Sequence, residues 1–215
     1  MRKLLSVMGA AMTLAYLGPV VAASSVDVTV KGSITPAACT PMLTNGGAVD
    51  YGKISIKDLN PATHLPTLLP VASLRLNIEC TAQTLMAVKV RDNRAGSSPE
   101  SDLFNQNFGL GWVNGDKKVG WYILRMSHGV ADGVERSLIE SMDGSTWFDA
   151  APANQVWQPG WMRALTAGGA SPSPLPVQTM AVDIHVGTTI LSRMQLPKDQ
   201  EIPIDGSATL DVVYL

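Results

Sequence analysis

Few residues in this chain are of a type that does chemistry, and they are scattered. The candidates are His64, His128 and His185, the cysteines Cys39 and Cys80, an acidic trio at Asp199, Glu201 and Asp205, and the tryptophans Trp147, Trp157 and Trp161. Catalysis needs acids, bases, nucleophiles or ligands that converge. The histidines stand far apart, neither Gly-x-Ser-x-Gly nor His-Glu-x-x-His occurs, and Gly109-Leu110-Gly111 lacks the third glycine of a dinucleotide loop. The chain is therefore read as a non-enzyme with no catalytic residue, no metal site and no cofactor. The acidic trio invites comparison with a Ca²⁺ loop, but carboxylates between strands are ordinarily just solvated. Trp147, Trp157 and Trp161 fall in segments without periodicity, where exposed indoles would make a ligand platform that stacks on sugar rings; buried indoles would be core.

The 215 residues open with Arg2 and Lys3, then a run from 4 to 21 that is nearly all apolar or small, then Val21-Ala22-Ala23. That pattern predicts a secretory signal peptide over residues 1–23, with the mature chain starting at Ser24. Removing 23 residues from 215 leaves 192, enough for one domain with a sizeable core. The formal charge of −2 becomes −4 once Arg2 and Lys3 leave, so no cationic surplus is left to attract nucleic acid. In an oxidising compartment two thiols are expected to be bridged, which predicts a Cys39–Cys80 disulfide. Closing a loop of roughly 40 residues stabilises a fold by about 4 kcal/mol on the chain-entropy estimate.

The elements that must position these residues are strands. Val26, Val28, Val30 and Ile34 alternate with Asp27, Thr29, Lys31, Ser33 and Thr35, and Gly32 shares the apolar register. Such a face either folds back as the first strand of its own sandwich or is buried as a strand added to a neighbouring molecule. Residues 49–56 read as a strand with a bulge at Gly52, residues 57–70 as a proline-broken loop that holds His64, and 74–80 and 84–91 as strands. Asn114-Gly115-Asp116 predicts a hairpin between 108–113 and 119–126. From 127 to 177 periodicity fails, apart from a short strand within 134–142, so this stretch is expected to be an irregular insertion. Alternation returns at 178–186 and in Ala208, Leu210, Val212 and Tyr214 at the C-terminus. No window outside the signal keeps an apolar stripe at helical spacing, and the whole reads as an all-β sandwich.

Two ends of the chain resemble the subunits of chaperone–usher pili, and within them a poorly characterised fimbrial-like group. The first is Val30-Lys31-Gly32-Ser33-Ile34 followed by Ala37-Ala38-Cys39, an alternating extension, a glycine and a cysteine that opens the domain. The second is the terminal alternation with a penultimate tyrosine. Tyr51-Gly52-Lys53-Ile54 and Leu76-Asn77-Ile78-Glu79-Cys80 resemble the segments between. The resemblance implies an incomplete immunoglobulin-like sandwich over 36–215 with a donor-strand extension over 24–35. It also implies a fimbrial subunit that passes through the periplasm to the cell surface and polymerises by donor-strand exchange. Its partners would be a periplasmic chaperone, an outer-membrane usher, other pilus subunits including itself, and a host or surface glycan. Val26, Val28, Val30, Gly32 and Ile34 would be donor positions; Leu210, Val212, Tyr214 and Leu215 would form the acceptor groove and chaperone-binding end. The alternative is a tip adhesin or a self-contained carbohydrate-binding sandwich.

Overall fold

The computed structural model describes residues 26, 28–32, 38–99, 106–150 and 156–215. The chain groups into two units, Met1–Thr35 and Pro36–Leu215.

Among the described residues the second unit holds fifteen strands and no α-helix. They are β1 (Cys39–Leu43), β2 (Thr67–Leu68), β3 (Ala72–Thr84), β4 (Met86–Asp92), β5 (Phe108–Gly109), β6 (Trp112–Val113), β7 (Lys117–Lys118), β8 (Gly120–Ala131), β9 (Val134–Glu135), β10 (Ser137–Ser141), β11 (Phe148–Asp149), β12 (Val156–Trp157), β13 (Met162–Thr166), β14 (Val177–Ile190) and β15 (Ala208–Tyr214). One sheet has the order β1-β3-β14-β8-β12, with β2 on β14 and β5 and β9 on β8. The other runs β11-β10-β13-β4-β15, and β6 and β7 form a separate hairpin. Every pairing is antiparallel, and the two large sheets form a sandwich.

The core lies between the sheets because alternation on their long strands leaves one apolar face on each. Leu76 and Ile78 of β3, Leu124 and Met126 of β8 and Val182 and Ile184 of β14 meet Met86, Val88 and Val90 of β4 and Leu165 of β13. β3 and β4 are nearly continuous in sequence, yet they serve opposite sheets: the chain crosses the sandwich at Leu85. Cys39 and Cys80 are direct partners in the β1–β3 ladder, and they are joined as a disulfide. The expected hairpin forms with Asn114 and Gly115 at φ of 56° and 82°, values that a tight turn between antiparallel strands requires.

Two expectations are corrected. Residues 49–56 make no ladder; Gly52 at φ 63° turns the chain, with its amide donated to Asp50 Oδ1 at 2.7 Å, and a 3-10 turn follows at Ile56–Asp58. Residues 127–177 are not an irregular insertion. They supply the end of β8 and strands β9 to β13, and β13 sits in the middle of the five-stranded sheet. All five residues of β13 are buried. A strand covered on both faces has no polar alternation to read. Arg163 lies within it, donating to Glu140 Oε2 at 3.0 Å.

Candidate functional site

The C-terminal strand β15 pairs with β4 along its whole length and has no second neighbour among the described residues. An unpaired edge leaves a row of backbone donors and acceptors open to another strand. Six of its seven residues are half-buried, and none is fully buried. Beside it the two sheets part into a cavity of about 250 Å³. Leu74, Leu124, Ile184 and Val186 of the eight-stranded sheet form the floor, and Ala208 and Leu210 of β15 form one wall. Val49 and Tyr51 form the other wall. They continue, with Ile204, into a second cavity of about 540 Å³ lined further on by Ile54, Ile56, Val119 and Ile190. The missing ladder at 49–56 thus has a physical reason: its half-buried side chains, Val49, Tyr51, Ile54 and Ile56, face an open groove that holds no strand among the described residues.

The floor of the groove is apolar, while Asp50, Lys53 and Glu201 line the second cavity beside Ile54 and Ile202. Tyr122 stacks on Phe108 with ring centroids 5.0 Å apart, and burial pushes its phenol well above the ordinary range, so it stays neutral. Tyr51 donates its hydroxyl to Thr188 Oγ1 at 3.0 Å. The mouth is fixed by Arg94, whose guanidinium grips both carboxylate oxygens of Asp205 at 2.8 and 2.9 Å just before β15 begins. That contact holds the Asp205 carboxyl below its usual pKa, although both groups are exposed and the pair is worth little in stability. Asp205 is thus engaged by Arg94 at the start of the segment that leads into β15. No group of three or more acidic, histidine or cysteine residues placed to hold a metal occurs among the described residues.

Of the C-terminal positions singled out by sequence, Leu210 lines the cavity and Val212 packs on the core. Tyr214 is half-exposed, and its hydroxyl accepts the Cys39 amide at 3.0 Å, which ties the end of β15 to the disulfide. Leu215 is 41% exposed. In the first unit Val26, Val28 and Val30 are 89, 87 and 92% exposed and are assigned to no strand, and nothing stands within 4 Å of the place a Cβ would take on Gly32. Ile34 lies outside the described residues.

The tryptophans do not make one platform. Trp157 is fully buried and donates to the Trp161 carbonyl at 3.1 Å, with the Arg163 guanidinium 5.9 Å from its ring centre. Trp161 is half-buried against the main core. Trp147 covers a second small core of Ala87, Ile139, Met162 and Ala164 on the outer side of the five-stranded sheet. The turn that carries Trp147 is held by Asp143, whose Oδ1 accepts from the Ser145 and Thr146 amides at 2.8 Å each and from Ser141 Oγ at 3.0 Å. These bonds hold its carboxyl down at about 2. A depressed carboxylate stabilises the fold above the unfolded pKa of about 3.9, and that stabilisation is lost as pH falls through the folded value. The emission difference between the parent chain and Trp147→Phe should hence stay constant above pH 4 and change between pH 4 and 2. Asp143→Ala should give the low-pH difference spectrum at neutral pH; an unaltered spectrum would remove Asp143 from this role.

His64 is exposed in a turn, but His128 and His185, isolated in sequence, meet in space. Ser127 Oγ lies 2.8 Å from His185 Nε2 and 3.2 Å from His128 Nδ1, and His128 Nδ1 lies 3.1 Å from Asp183 Oδ2. This is not a nucleophile-base-acid relay. The other nitrogen of His185 bonds Ser73 Oγ at 2.8 Å, while Asp183 serves His128 and Arg75. The available signal was that Asp183 and His185 share one face of β14.

The geometry is that of an all-β sandwich in which the open edge of β15 borders a groove with an apolar floor. Residues 28–106 match a protein family described as "Protein of unknown function (DUF1120)"; the match takes in the exposed valines from Val28, both cysteines, and β1 to β4. The chain is similar to Protein GltF of Escherichia coli (strain K12), at 27% identity with 88% of each chain aligned. It is also similar to the uncharacterized protein YhcF of the same strain, at 28% identity over 90% of this chain and 92% of the relative. No helix among the described residues is long and apolar enough to cross a membrane.

Proposed function

We propose that the chain is a structural subunit of a chaperone–usher surface fimbria, polymerising by donation of its N-terminal strand into the groove of the next copy. The observation that carries this reading is the coexistence, in one chain, of a groove with an apolar floor beside the open edge of β15 and an exposed alternation of Val26, Val28 and Val30. A donor strand would bond the free edge of β15 and lay its valines on Leu74, Leu124 and Ile184. Burying three valines and Ile34 at ~1.5–3 kcal/mol each gives on the order of 6–12 kcal/mol before ordering costs. Such an interface, repeated along a fibre, is long-lived. Before assembly the groove would be an aggregation hazard. A periplasmic chaperone is the partner that would fill it, holding the Leu215 carboxylate with basic groups, and an outer-membrane usher is the place where the next subunit takes over. Cell-surface localisation and adhesion follow from that route.

The test is the glycine in the donor register. Gly32→Leu should slow or block formation of SDS-resistant multimers, because a branched side chain must be forced into the groove where the parent has none. Multimers that form as fast as those of the parent would contradict the proposed register.

A further inference from the structure

Each described tyrosine but one has a partner for its hydroxyl. Tyr51 donates to Thr188 Oγ1 at 3.0 Å, and Tyr214 accepts the Cys39 amide at 3.0 Å. Tyr122 has no such partner among the described residues. Its side chain is otherwise enclosed: the residue is 6% exposed, Phe108 stacks on its ring, and it lines the cavity beside β15. The hydroxyl is nevertheless open, since the sealed side-chain atoms without a partner among the described residues are Nε of Arg136 and Nε of Arg163. Burial above all, and then the charges of Asp92 and Arg94, act on the phenol, which puts the hydroxyl on the side of the groove mouth. A tyrosine this deep ordinarily finds a partner in its own fold, and an open hydroxyl without one is free to take a group from a ligand. The space beside the ring is narrow. A Cβ on Gly206, which leads into β15, would lie 2.9 Å from Tyr122 Cε1 and 2.9 Å from Leu110 Cδ2. The chain's own backbone passes Tyr122 this closely because residue 206 is glycine.

Resting on the strand-donation reading above, we infer that Tyr122 is the polar anchor of the groove: its hydroxyl donates to a backbone carbonyl of the entering strand, at Gly32 of the donor copy. A strand laid over an apolar floor brings peptide groups that lose water there, and each of them needs a new partner. A floor hydroxyl reaches a carbonyl where the backbone comes close, and a side chain on the floor face would hold the two apart. Gly32 is the position in the register of Val26, Val28, Val30 and Ile34 that has no side chain. The valines gain burial anywhere along an apolar floor, so they fix the register weakly. The bond to Tyr122 fixes it strongly, because a slip of two residues sets Val30 or Ile34 over the hydroxyl and leaves it unpaired.

The test compares SDS-resistant multimers of the parent with those of Tyr122→Phe, which removes the hydroxyl and keeps the stacked ring. Multimers of Tyr122→Phe should dissociate roughly three- to tenfold faster, the loss of one hydrogen bond. The melting temperature of the single chain should stay within about 2 °C of the parent, because the hydroxyl bonds nothing in its own fold. Gly32→Ala should speed dissociation as well, and the double variant should dissociate no faster than the faster of the two single ones, since both changes break the same contact. Tyr122→Phe multimers as long-lived as those of the parent, a larger fall in the melting temperature of the single chain, or additive effects in the double variant would each overturn the anchor and leave strand donation standing. A parent chain that forms no multimers from its chaperone complex would overturn strand donation itself, and the anchor with it.

Discussion

A chain lacking residues 24–35 should fold with its chaperone and yet form no SDS-resistant multimers. The valines of this segment are exposed to about nine-tenths, so the segment carries an apolar face whose burial remains to be gained. If a neighbouring copy buries it, deletion costs the deleted chain nothing in its own core and removes the on the order of 6–12 kcal/mol that joins one subunit to the next. By mass action that loss lowers the association constant by roughly four to nine powers of ten, which takes a persistent fibre to no fibre. The deleted chain should still accept a strand from an intact one, and it should then be found at one end of a fibre and never within it. If the segment instead completes its own sandwich, deletion would expose core, and the chain would fail to accumulate even beside the chaperone.

Removing the disulfide should be the largest single-residue effect on stability. The bridge joins direct ladder partners in β1 and β3 across a sequence separation of 41 residues. A loop of that length corresponds to about 4 kcal/mol of denatured-state entropy, a large share of the ~5–15 kcal/mol that holds a domain together. The bridge matters locally as well: β1 is a five-residue strand on the sheet edge, paired on one side only, and Tyr214 hangs its hydroxyl on the Cys39 amide. Cys80→Ser should lower the melting temperature by on the order of 10 °C and lower periplasmic yield. A drop below about 2 °C would mean that the β1 ladder holds without the bridge.

The sequence made the ends of the molecule legible and hid the middle, for one physical reason. Strands with one wet face, β3, β14 and β15, advertise themselves by alternation, and the residues of β15 that flank the groove were visible at once. β13, buried on both faces, shows Met162, Arg163, Ala164, Leu165 and Thr166, which has no period; its arginine reads as a surface residue and is in fact sealed against Glu140. β8 loses phase at Ser127 and His128, where a bulge brings Ser127 to His185 and His128 to Asp183, so the link of His128 to His185 through Ser127 was invisible in one dimension. Residues 49–56 show the opposite failure. Their alternation was real, but periodicity reports which side chains face an apolar surface and not whether a strand lies alongside.

The central claim, that the N-terminal strand serves a different copy, is most directly tested by mixing two tagged chains. One carries Val26→Cys, Val28→Cys or Val30→Cys, and the other carries Leu210→Cys with a second tag. After assembly from chaperone complexes and mild oxidation, non-reducing gels should show a disulfide-linked species bearing both tags for at least one of the three positions. A control chain with both new cysteines should not close on itself. A self-closed doubly substituted chain, with no species bearing both tags at any position, would place the strand in its own domain and contradict the account.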